Sequence, residues 1–134
     1  MKYGERLLLW ESNFGRDMGW EVELEGKPIA RLVRPRDVDM FWVSYEVVLL
    51  TDEPFIANGF LEFSFWIENG SRLVFRNHGF KEIAAVGVAA GRVDAQSRRM
   101  AFRGLCADIK VPGVGDRFLL MLRGRWRGVR GRSV

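Results

Sequence analysis

The sequence predicts an all-β fold: a single-domain antiparallel β-barrel or β-sandwich of about 8–10 strands, with at most one short helix. Three observations predict it. Apolar and polar residues alternate with period two along most of the chain. Turn signals recur about every ten residues, which leaves no connection long enough for the crossover helices that parallel strands need. The 134 residues, 48% hydrophobic and 28% charged, suit one core in one domain over residues 1–134 and are too apolar for a disordered chain.

The elements follow in order. Residues 5–11 read as a first strand. Met18, Trp20, Val22 and Leu24 interleave with Gly19, Glu21, Glu23 and Glu25, a half-buried strand with a wet acidic face. Gly26-Lys27-Pro28 is a turn, and residues 29–34 return as its hairpin partner. A three-residue loop over 26–28 sets Leu24 opposite Ala30, Val22 opposite Leu32 and Glu23 opposite Arg31. A two-residue loop would set Val22 against Arg31, and a one-residue slip inverts every face, so the three-residue loop is the expectation.

Residues 40–50 place Phe41, Val43, Tyr45, Val47 and Leu49 on one face and Met40, Trp42, Ser44, Glu46, Val48 and Leu50 on the other. Both faces are largely apolar, as in a central strand, and Asp52-Glu53-Pro54 breaks it. Residues 58–68 alternate again, with Leu61, Phe63, Phe65 and Ile67 on one side and Phe60, Glu62, Ser64, Trp66 and Glu68 on the other. Asn69-Gly70 is a strong hairpin signal leading into a strand over 71–76, and Asn77-His78-Gly79 is the next turn. Residues 82–94 read as strand, with helix as the alternative for the alanine-rich 82–91. Residues 99–111 and 116–127 form the last two strands around Pro112-Gly113.

The net charge of +4 is unevenly spread. Residues 123–134 carry Arg123, Arg125, Arg127, Arg130 and Arg132 and no acid. The remaining 16 basic residues face 17 acids, so residues 1–122 carry a net −1. Cys106 stands alone, which excludes an internal disulfide or a cysteine-based zinc site. The N-terminal apolar run, Leu7 to Trp10, is too short for a signal-peptide core. No run approaches the ~18 residues a membrane helix needs. The expectation is a cytoplasmic protein with no membrane partner.

No catalytic constellation is expected. His78 is the only histidine, and its one possible nucleophilic partner, Cys106, lies inside an expected strand, where a free cysteine is usually a small buried hydrophobe. The Asp37-Val38-Asp39 pair would suit a hard cation with Asp52 or Glu53, yet loop aspartates more often cap turns, so neither metal nor cofactor is predicted. Two groups remain as binding candidates. The C-terminal row Arg123, Arg125, Trp126, Arg127 and Arg130 pairs guanidinium forks with a stacking surface, which suits a polyanion. Its structural counter-reading is a ladder docked on acids such as Glu21, Glu23 and Glu25. Arg34, Arg36, Asp37, Asp39, Trp42, Trp66 and His78 are the second group, for a ligand or an interface. The leading functional expectation is a non-enzymatic protein-interaction module, a homodimer. The alternatives are a polyanion-, nucleic-acid- or nucleotide-binding module, and a small-ligand barrel or enzyme.

Overall fold

Strands β1 (Trp20–Leu24) and β2 (Lys27–Asp37) form the hairpin expected from the alternation, but with a different turn. Glu25 and Gly26 both take positive φ, 53° and 77°, so the loop is a two-residue turn of the kind that matches strand twist. Leu24 pairs with Lys27 and Glu23 with Pro28; beyond them Val22 pairs with Ala30, Glu21 with Arg31 and Trp20 with Leu32. The register is thus two residues from the expected one, and every face is kept. Parity survives through a β-bulge: Ile29 is the extra residue, which lets Ile29 and Ala30, adjacent in sequence, both bury.

The structure, a computed structural model, describes residues 3–39 and 41–107. Their architecture is mostly antiparallel β: seven strands in one curled sheet, a half-barrel, with a few short helices. The remaining strands are β3 (Trp42–Leu49), β4 (Leu73–Asn77), β5 (Ala84–Ala85), β6 (Ala89–Asp94) and β7 (Arg99–Arg103), and the order across the sheet is β5-β4-β1-β2-β3-β7-β6. The expected strand over 82–94 is therefore two strands, broken at Gly87 (φ 71°), and they lie on opposite edges. Only residues 86–88 join them, a reach of about 14 Å at full extension. Seven strands laid flat would span about 29 Å, so this short link requires the curl. The expected strand over 99–111 ends at Arg103, where Gly104 takes φ 87° and breaks it; residues 108–111 and the expected strand over 116–127 lie outside the described residues.

Two expected strands are helices. Residues 5–11 fall in α1 (Tyr3–Glu11). The segment is rich in good helix formers, and Leu7, Leu9 and Trp10 are buried while Leu8 is exposed. A left-handed run at Asn13, Phe14 and Gly15 ends it, with the Gly15 N–H donating to the Leu9 carbonyl at 3.2 Å. Residues 58–68 fall across α2 (Pro54–Gly59) and α3 (Phe63–Asn69). Proline begins α2, where its missing N–H costs nothing. The buried set Ile56, Phe60, Phe65, Trp66 and Asn69 follows helical spacing.

The location of these helices has a topological cause. β3 and β4 are three places apart in the sheet, so the chain must cross the concave side to connect them. The crossing segment fills that side. Ile56, Phe60, Phe65 and Trp66 join Trp20, Val22, Leu32, Tyr45, Phe75, Met100 and Phe102 in one core. Trp66 lies 5.1 Å from Phe60, 6.0 Å from Phe75 and 5.5 Å from Phe102 between ring centroids, and its indole N–H donates to the Phe60 carbonyl at 2.7 Å. Asn69-Gly70 is not a hairpin turn: Gly70 is right-handed and opens a 3-10 turn over Gly70–Arg72. Among the described residues, no helix is long and apolar enough to cross a membrane.

Candidate anion-binding face

The convex face of the sheet divides into two electrostatic halves. On β4, β1 and the first half of β2, acids and bases match. Glu21 lies 3.9 Å from Arg31 and 3.6 Å from Lys81, Glu23 accepts two hydrogen bonds from Arg76 at 3.1 Å, and Glu25 pairs with Arg72. The acidic stripe read from the sequence thus has its partners on the neighbouring strands, Arg31 and Arg76, and in the segments that flank β4, Arg72 and Lys81. The C-terminal candidates Arg123, Arg125, Trp126, Arg127 and Arg130 lie outside the described residues.

The other half, on β2, β3 and β7, is cationic, and a second bulge in β2 creates it. Val33 pairs with Glu46 and Arg36 with Ser44, so Arg34 and Pro35 together oppose Tyr45. Arg34 takes the left-handed conformation, φ 50°, a strained one for a side chain of its size. Pro35 has no N–H to give the ladder, which suits it to a bulge. Tyr45 faces the core, where its hydroxyl donates to the Arg16 carbonyl at 2.7 Å and burial pushes its pKa up. Without the extra residue Arg36 would face that same side. With it, Arg36 stands on the convex face beside Ser44, and Asp37 turns the other way, opposite Val43.

The bulge frees the Arg34 carbonyl from the regular ladder, and Arg99 of β7 caps it. The Arg99 Nη2 donates to the carbonyls of Arg34 at 2.6 Å and Ser44 at 2.7 Å, and its Nε donates to Ser44 Oγ at 3.0 Å. Arg99 is only 8% exposed, and all three acceptors are neutral. Burial lowers its pKa first and the Arg36 charge next, with Glu46 acting in the opposite sense, but a guanidinium stays protonated at any ordinary pH. The result is a fixed positive charge set into the sheet.

Around it stand Arg34, Arg36 and Arg103. Arg34 hydrogen-bonds Glu46; that bond raises the pKa of the guanidinium and holds the carboxyl of Glu46 below its usual range. The Arg36 side chain makes no hydrogen bond or ion pair among the described residues. Asp94, opposite Arg99 on β6, spends its carboxylate on the N–H groups of Gln96 and Ser97 at 3.2 and 3.4 Å. Among the described residues, four guanidiniums therefore share this half with one hydrogen-bonded carboxylate, Glu46.

Aromatic groups border it. The carboxylate of Asp39 caps the β2–β3 loop, accepting from the N–H groups of Phe41 at 2.8 Å and Trp42 at 3.0 Å; this is the turn role that competes with metal ligation. Among the described residues, no three His, Cys, Asp or Glu side chains gather as a metal set. Trp42 lies opposite Arg103, with its ring against Gly91, where a Cβ would fall 2.5 Å from Cζ3. Phe41 is 54% exposed, and the Arg103 guanidinium sits 5.3 Å from its ring centre.

Of the candidates singled out from the sequence, Arg34, Arg36 and Trp42 meet on this face, with Asp39 shaping its loop. Trp66 does not join them; helical rather than strand periodicity turns it into the core. His78 is exposed in the turn after β4, its N–H bonded to the Gly19 carbonyl at 3.0 Å, two strands away from β2. Arg99, Arg103 and Phe41 were not singled out. The available sign was the alternation Arg99-Met100-Ala101-Phe102-Arg103, which places both arginines on one face. A cleft of about 340 Å³ at the opposite end of β2, between Lys27, Ile29, Phe55 and Arg72, mixes acids and bases. No protein family, curated protein or solved structure matches the chain significantly, so what this face binds is argued from its chemistry.

Proposed function

We propose that the chain is a non-enzymatic binding module that holds phosphate groups of a polyanion on the convex face of its sheet, at Arg36, Arg99 and Arg103. The observation that carries this reading is Arg99: a nearly buried guanidinium whose bonds among the described residues all go to neutral oxygens, beside Arg36, whose side chain has no partner among those residues. Like charges brought together cost energy that a bound anion recovers, and guanidinium forks match phosphate oxygens. The five arginines of residues 123–134 add charge of the same sign within the chain.

The test is isothermal titration calorimetry of the full chain with inorganic polyphosphate at several salt concentrations. Binding is expected to weaken with salt through counterion release. The double variant Arg36→Gln/Arg103→Gln is expected to lower the slope of log K against log salt by about two. An unchanged slope would place the phosphates elsewhere and overturn the reading.

A second reading, protein contact in a homodimer, is favoured by the outer face of α3. Phe63 and Ile67, one helical turn apart, are 64% and 70% exposed. Sedimentation is then expected at twice the 15.4 kDa chain mass, reverting to monomer in Ile67→Glu. A monomer at micromolar concentration excludes it.

A further inference from the structure

We infer that the polyanion is a single-stranded nucleic acid whose bases stack at Phe41 and Trp42; this rests on the phosphate reading above and adds the ligand's chemical class. The arrangement of charge and aromatic surface favours it over other polyanions. Ser44, beside which Arg36 and Arg99 converge, and Trp42 are two residues apart on β3, about 6.8 Å along the strand. That is the scale of one nucleotide step in an extended chain, so a phosphate at the arginines brings the adjoining base to the aromatic border.

Phe41 is suited to receive it. A phenylalanine more than half exposed is unusual on a face otherwise so charged, and the Arg103 guanidinium covers one side of the ring. Such stacked arginine–aromatic pairs present both a π surface and a phosphate donor. The Asp39 carboxylate holds the N–H groups of both Phe41 and Trp42, which ties the two aromatic residues to the end of β2. Inorganic polyphosphate would use the arginines and leave this ring idle. An acidic peptide would bring carboxylates but no flat group to stack. A duplex hides its base faces, whereas a single strand offers both components at once.

The experiment measures fluorescence anisotropy of the full chain with labelled fifteen-residue probes: oligo-dT, an abasic oligomer of the same length and charge, and poly-Glu. Oligo-dT is expected to bind roughly tenfold tighter than the abasic oligomer. Phe41→Ala is expected to bring the affinities for oligo-dT and the abasic oligomer together, and Phe41→Leu, which keeps the apolar volume against Arg103 without the ring, is expected to do the same.

Equal binding of oligo-dT and abasic oligomer overturns the nucleic-acid inference but spares the phosphate reading. So does a preference that persists in both Phe41 variants, because the stacking then lies off this face. Poly-Glu binding as tightly as oligo-dT overturns the inference in favour of an acidic peptide. Failure of all probes, inorganic polyphosphate included, overturns the phosphate reading as well.

Discussion

Replacing Arg99 with methionine separates its structural contribution from its charge. Methionine keeps much of the aliphatic length and removes the fork. The carbonyls of Arg34 and Ser44 then lose the Nη2 donor that now stands 2.6 and 2.7 Å away. An unsatisfied buried carbonyl costs ~1–3 kcal/mol, while Ser44 Oγ, a rotating hydroxyl, readily finds water. Against this stands relief from holding a dehydrated cation near Arg36, the two largest influences on the Arg99 pKa. The carbonyl loss exceeds the relief, since the fork also fixes the left-handed backbone at Arg34, and the net destabilisation is about 2–3 kcal/mol. Urea unfolding followed by tryptophan fluorescence reads it as a lower midpoint at constant m-value. Arg36→Met, at an exposed side chain with no partner among the described residues, is the control and should stay within about 0.5 kcal/mol of the parent. If Arg99→Met proved as stable as the parent, the guanidinium would be a tolerated charge rather than the clamp of the bulge, as happens when buried ionic groups are replaced by apolar ones.

Three further outcomes follow from the same geometry. Gly91→Ala forces a Cβ to within 2.5 Å of the Trp42 ring; displacing the indole should cost ~1–3 kcal/mol in unfolding experiments and weaken oligo-dT binding. Glu46→Gln removes the carboxylate that Arg34 holds on the cationic half, and polyphosphate affinity should rise about twofold at low salt and converge with the parent at high salt. The pH dependence has the matching sign: the Arg34 hydrogen bond lowers the Glu46 pKa, so the pair's contribution to stability is complete above the ordinary carboxylate pKa and is lost as pH falls through the lowered one. Polyphosphate affinity should rise over that acid window in the parent, with a smaller rise in Glu46→Gln. Trp66→Ala empties the centre of the aromatic cluster and should destabilise by ~3–5 kcal/mol, with little change in the salt slope of binding if the concave and convex sides act separately.

The β class was legible because period two is imposed wherever a strand has one buried face, as Trp20, Val22 and Leu32 do. Turn chemistry at Gly26 and Asn77 was legible too: Asn77 Oδ1 accepts from the N–H groups of Gly79 and Phe80, each at 3.0 Å. The helices were not, because a short aromatic run such as 60–67 satisfies both periods. What decides between them is the distance from β3 to β4, which only the assembled sheet defines. The hairpin register was missed by two residues for a related reason: turn and bulge errors cancel in parity, so the faces alone could not reveal it. Half of the cationic face was visible as the dense loop at Arg34 and Arg36. Arg99 was not, because it meets Arg34 across 65 residues of sequence, through a strand pairing that one sequence does not specify.

The two bulges in β2 use one device for different ends. At Ile29 an extra residue corrects the parity that a two-residue turn would otherwise invert, and the reward is purely apolar burial. At Arg34 the extra residue inverts a parity that was already correct. A straight β2 would set Arg36 opposite Val43 on the core side and put Asp37 outside, opposite Trp42. The face would then carry one cation fewer and one anion more, and Arg99 would lose the Arg34 carbonyl it caps. The strained backbone at Arg34 keeps Arg36 off the core side, where Val43 and Tyr45 are buried. It serves the surface, by exchanging an acid for an arginine where Arg99 already holds a buried charge. Local conformational cost of this kind clusters at binding sites, and here it falls on the residue whose bulge makes the convex face cationic.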